Sequence, residues 1–115
     1  MIRQGDVFLV PFDEKVEWLV PVSKKINKDK PIPADNGRVV LAYGEVTGHA
    51  HALHSNMIRH YRDTEGSGLT VTQLVVDKPT MLRHEEHPAL PVNKGKYHVV
   101  RQREYSPEAI RNVAD

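Results

Sequence analysis

Leu69-Thr70-Val71-Thr72-Gln73-Leu74-Val75-Val76 alternates in polarity and is rich in β-branched residues. That pattern is a β-strand with one face buried. Glu65-Gly66-Ser67-Gly68 before it reads as a hairpin-like turn. The same two-residue period recurs along the chain. Extended segments are expected at Asp6–Phe12, Glu17–Val22, Arg38–Tyr43, His49–Leu53, Met57–Arg62, Met81–Glu85 and Tyr97–Tyr105. Proline inside several of these runs points to edge positions or strand ends. Lys94-Gly95 is the turn before the last strand.

Two segments break the period. Residues 23–38 carry Lys24, Lys25, Lys28 and Lys30, then Pro31, Pro33, Asn36 and Gly37, which predicts a flexible surface loop. Residues 106–114 open with Ser106 as N-cap, Pro107 at the first helical position and Glu108 in the first turn, which predicts a short helix. The expected architecture over residues 1–115 is therefore one all-β domain, a small barrel or sandwich with a short C-terminal helix.

Composition narrows the function classes. The chain has 115 residues, enough for a single modest core. Sixteen basic and fifteen acidic residues leave a formal charge of +1, so neither nucleic acid nor a membrane is an expected partner. Residues 1–11 form neither a signal peptide nor a spanning helix, so a cytoplasmic location is expected. A small β domain has edges to cover, which makes a homo-oligomer an open option. With no cysteine, disulfides and thiolate ligands are excluded.

Seven histidines stand out against this background, and four lie in two motifs: His49-Ala50-His51 and His84-Glu85-Glu86-His87. Imidazole is the commonest protein metal ligand. On a strand, His49 and His51 share a face with side chains about 7 Å apart, close enough to reach one ion. His84 and His87 would face opposite ways on a regular strand, but a bend brings them together, and Pro88 favours one. These four are the candidate metal ligands, with zinc, iron, manganese or nickel as the expected ion. Glu85 and Glu86 offer a further ligand, a hydrogen-bond partner or a general base. Arg101, Arg103 and Tyr105 alternate on the last strand and share a face. They read either as a polar or anionic ligand site near the metal or as partners in cross-strand ion pairs.

Gly44 followed by His49-Ala50-His51, then Pro91, Gly95 and His98, resembles the paired motifs of cupins. Ser55 and Asn56 stand where that family places a glutamate. The likeness implies a β-barrel and an alternative ligand set of His49, His51 and His98. Across most of its length the chain also resembles small uncharacterised proteins of bacteria and their phages. That likeness rests on Met1-Ile2-Arg3-Gln4-Gly5-Asp6-Val7, on the 44–51 run Gly44-Glu45-Val46-Thr47-Gly48-His49-Ala50-His51, on His84-Glu85-Glu86-His87 and on Gln102-Arg103-Glu104-Tyr105. It implies that the two histidine motifs belong to one site. Two function classes follow. One is a metal-binding protein with a hydrolytic or small-molecule role. The other is a non-catalytic accessory or interaction module of a phage or mobile element. Whether the protein is an enzyme stays open at this point.

Overall fold

The computed structural model describes residues 1–15, 25–43, 49–62 and 71–101. Nine strands run through them: β1 (Ile2–Gln4), β2 (Val7–Pro11), β3 (Val39–Tyr43), β4 (Ala50–Leu53), β5 (Ile58–Arg62), β6 (Val71–Val76), β7 (Thr80–His84), β8 (His87–Val92) and β9 (Gly95–Arg101). They form two antiparallel sheets, one ordered β1-β2-β9-β6-β5 and the other β3-β4-β7-β8. The architecture is a sandwich. At its two seams β1 approaches β8 and β3 approaches β5. Among the described residues there is no helix, and none is long and apolar enough to cross a membrane.

Alternation assigns the faces. Val7 and Leu9 of β2, Leu74 and Val76 of β6, and Tyr97 and Val99 of β9 point inward. They meet Val39, Leu41, Leu53, Leu82 and Val92 from the opposing sheet in one core. Leu9, Leu53, Leu74 and Leu82 are fully buried, each contributing roughly 2 kcal/mol relative to an exposed side chain. The outer face of the five-stranded sheet is also covered at Phe8, Val10, Gln73, His98 and Val100.

The lysine-rich loop explains part of that cover. The Gln73 side chain takes the role of a peptide group: its Oε1 accepts from Asn27 N at 2.7 Å and its Nε2 donates to Lys25 O at 2.7 Å. Farther on, Arg62 N donates to Lys30 O and Ile32 N to His60 O, both at 2.8 Å, so residues 30–32 run along the free edge of β5. Covering an edge in this way removes a pairing template. The chain then reverses at Asn36-Gly37, whose φ angles of 52° and 76° fit a two-residue type I′ turn closed by Asp35 and Arg38.

Two strands escape the sequence reading. β1 has three residues, too few to show a period. β8 carries Pro88 and Pro91, which read as a loop, yet it is the outer strand of its sheet, where proline is tolerated. The expected strand at 17–22, the turn at 65–68 and the helix at 106–114 lie outside the described residues.

His60 is the clearest titratable group inside the sandwich. Its Nε2 lies 2.7 Å from Thr72 Oγ1. Burial, aided by the nearby Arg62 charge, pushes its pKa down to about 4 from an ordinary 6.5. The folded state therefore resists protonation of His60, and the unfolded chain does not. The stability this group supports is complete above pH 6.5 and is lost as pH falls from 6.5 towards 4, by about 3 kcal/mol in all. Chemical denaturation between pH 7 and 5 should show a steeper loss in the native protein than in a His60→Gln variant, which keeps a polar partner for Thr72. Equal slopes would refute the assignment.

Candidate metal centre

His84-Glu85-Glu86-His87 is itself a hairpin turn. β7 ends at His84, β8 starts at His87, and the two are directly paired, with Glu85 and Glu86 forming the two-residue loop. A register shift between Leu82 and His84 marks a bulge just before it. Direct pairing places both imidazoles on one side, with ring centroids 4.8 Å apart. The bend inferred from Pro88 is thus a tight turn between two strands.

This turn stands against the start of β4. Ala50 N, between the two histidines of the first motif, donates to Glu85 Oε1 at 2.8 Å. The bond holds the Glu85 carboxyl below its usual range, with smaller help from His49 and His84. Glu85 is thereby a clamp between the two histidine motifs. His84 lies centrally among the rings. Its centroid is 4.3 Å from that of His51 and 5.8 Å from that of His49, in addition to the His87 contact. Its pKa is lowered by desolvation first and then by His51 and His87. Ligand atoms of His49, His84 and Glu85 lie within 4.8 Å of one another. Glu86 N donates to His84 Nδ1 at 3.0 Å, so a neutral His84 carries its hydrogen on Nε2. Ligation through Nδ1 would exchange that bond for one to a metal.

The N-terminal hairpin supplies the other half, which sequence reading missed. Gln4 is buried, and its Nε2 donates to Leu82 O and Pro88 O, both at 3.0 Å. Both amide hydrogens are used, so Oε1 is the atom facing His51 Nδ1 at 2.9 Å. An oxygen there can only accept, so His51 carries hydrogen on Nδ1. Its Nε2 then points to Asp6 Oδ1, 3.3 Å away. A metal ion placed there would find an imidazole nitrogen and a carboxylate oxygen side by side. Gly5 completes the approach. Its φ of +58° is the left-handed region, and a Cβ added there would stand 2.9 Å from His87 Nε2 and 3.4 Å from His51 Nε2. The edges of both rings therefore lie against the Gly5 backbone, with His51 Cε1 at 3.1 Å from that position.

His49 is half-buried. Its Nδ1 is shielded from solvent, makes no hydrogen bond among the described residues, and lies 3.5 Å from Glu86 Oε1. Such an unsatisfied buried nitrogen suits an ion. His98 is not brought into the group. It lies on the outward face of β9 and stacks on Phe12 with centroids 4.1 Å apart, so the set of His49, His51 and His98 is not assembled. Arg101 points inward at the end of β9, while Arg103 and Tyr105 lie outside the described residues. Asp6 and Gln4 could have been found only from the run Gln4-Gly5-Asp6, a turn signal between two short extended segments.

Sheet order and site together define an all-β sandwich with a histidine cluster at one mouth. The chain belongs to the family described as "Domain of unknown function (DUF8820)", which matches residues 3–102. No curated protein and no solved structure matches it.

The close contact at Gly5 is directly testable. Gly5→Ala should destabilise the protein by at least about 1 kcal/mol, since it combines a left-handed backbone with a side chain pressed on two rings. It should also move the ring resonances of His51 and His87 in NMR spectra. Unchanged stability together with unchanged ring shifts would show that the hairpin does not rest on the cluster.

Proposed function

We propose that this protein binds a divalent transition-metal ion through the imidazoles of His49, His51, His84 and His87, with Asp6 or Glu85 adding a carboxylate. The observation that carries this reading is the fixed orientation of His51. Gln4 holds its Nδ1–H, its Nε2 lies 3.3 Å from Asp6 Oδ1, and the rings of His84 and His87 pack beside it. A metal-binding histidine is commonly oriented through its second nitrogen in this way. Nitrogen and oxygen donors with no thiolate suit zinc, iron, manganese or nickel. His49, His84 and Glu85 bring three donor atoms within 4.8 Å of one another, which leaves a four-coordinate ion a position for His51, His87 or a bound molecule. A role in binding or converting a small molecule at the metal is favoured because His49 and His84 are partly solvent-accessible.

Elemental analysis of protein purified without a histidine tag tests this reading. A stoichiometric transition metal is expected, together with a fall in melting temperature on chelation. The His49→Ala/His51→Ala double variant should lose the ion. Asp6→Asn should keep the fold and weaken metal affinity by roughly 10–100-fold. Protein that stays metal-free after exposure to all four ions, and melts unchanged with a chelator, would eliminate the proposal.

A further inference from the structure

The rings of the histidine cluster are not arranged alike. An imidazole binds a metal through a lone pair in the plane of its ring, with the ion roughly 2 Å beyond the nitrogen. Two rings that share an ion therefore have planes that meet at that ion. The His51 and His84 rings do not meet this condition. Their centroids are 4.3 Å apart and their planes differ by only 31°, so they lie largely face against face. Planes so arranged meet farther out than an ion can bind. His49 and His84 stand differently, with planes 88° apart and centroids at 5.8 Å. That edge-to-face orientation lets two lone pairs point to one ion, and donor atoms of His49, His84 and Glu85 lie within 4.8 Å of one another.

We infer that the cluster holds two divalent transition-metal ions, one taken by His49, His84 and Glu85 and the other by His51 and His87 beside Gly5. The inference rests on the metal reading above and adds the number of ions and the division of ligands between them. A separate observation supports each half. In the first, His49 Nδ1 is buried and makes no hydrogen bond among the described residues. Ala50 N holds one carboxylate oxygen of Glu85, which leaves the other for an ion. In the second, His87 Nε2 and His51 Nε2 stand 2.9 and 3.4 Å from the position a Cβ would take at Gly5. Only glycine keeps that position empty. Gln4 occupies Nδ1 of His51, so Nε2 is the nitrogen left to bind. Asp6 Oδ1, 3.3 Å from that Nε2, brings a carboxylate, a group that accepts from several partners at once.

The two histidine motifs are thus shared crosswise. Each ion draws one imidazole from His49-Ala50-His51 and one from the β7–β8 turn. The carboxylates divide in the same way, Glu85 with the first ion and Asp6 with the second. Glu86 Oε1, 3.5 Å from His49 Nδ1, adds negative charge to the first half. The first ion therefore joins the start of β4 to the turn, whereas the second also meets the N-terminal hairpin at Gly5.

Cobalt(II) titration of the full-length chain, stripped of metal beforehand, tests the count. Calorimetry, with elemental analysis after loading, should give two ions per chain with Kd below roughly 0.1 mM. His49→Gln and His87→Gln should each lose one ion and keep the other. His87 is exposed and His49 half-buried, so neither variant removes a core side chain. With zinc as the probe, NMR should show the His51 ring resonances shifting on binding in His49→Gln and staying in place in His87→Gln. One ion per chain in the native protein, or loss or retention of both ions in either folded variant, would overturn the two-ion inference and leave the metal reading standing. No bound cobalt in the native protein would overturn both. The native count decides even where a variant fails to fold.

Discussion

Gln4 holds three separate parts of the molecule with one side-chain amide. Its two hydrogens go to Leu82 O on β7 and Pro88 O on β8, and its oxygen takes His51 Nδ1–H on β4. These bonds close the seam where β1 meets the second sheet, and they also orient the first imidazole of the cluster. A buried amide stripped of its partners costs about 1–3 kcal/mol. Because all three bonds are made in a buried setting, each supports the geometry of the others. The position of β1, the approach of Gly5 and the direction of His51 Nε2 all depend on this residue.

Strand alternation then divides one mouth of the sandwich into two chemical halves. On one side His51 continues the inward row that contains Leu53, and the β7–β8 turn adds His84 and His87. On the other side Arg101 continues the row of Tyr97 and Val99, and Thr72 that of Leu74 and Val76. The apolar rows close the core, and their polar ends open it to solvent. His51, His84 and His87 therefore sit on strands, where the sheet ladders restrict their movement, while Asp6 and Glu85 reach them from turns.

Much of this was legible in the sequence, though unevenly. The period of two marked β2, β3, β4, β5, β6, β7 and β9, and the spacing in His49-Ala50-His51 placed both rings on one face because a strand repeats every two residues. His84 and His87 needed a bend, and the two-residue turn supplies it. Pro88 and Pro91 concealed β8, since proline signals a loop and an edge strand equally well. Gln4 and Asp6 were marked only as neighbours of the turn at Gly5, because the partners that give them meaning lie far along the chain. His98 had a suggestive spacing to Gly95, but the face on which it stands is set by the neighbours of β9 in the sheet.

Gln4 is separated from its carbonyl partners by 78 and 84 residues. The chain must extend to Pro88 before those contacts exist, and closing so long a loop carries an entropic cost that precedes any gain. Contacts of this range slow folding relative to local pairing. The β3–β4 and β7–β8 hairpins can form from neighbouring residues, whereas docking of the N-terminal hairpin must wait for both. The histidine cluster is thus completed only when the N-terminal hairpin meets the second sheet, so its assembly reports that the two sheets have met.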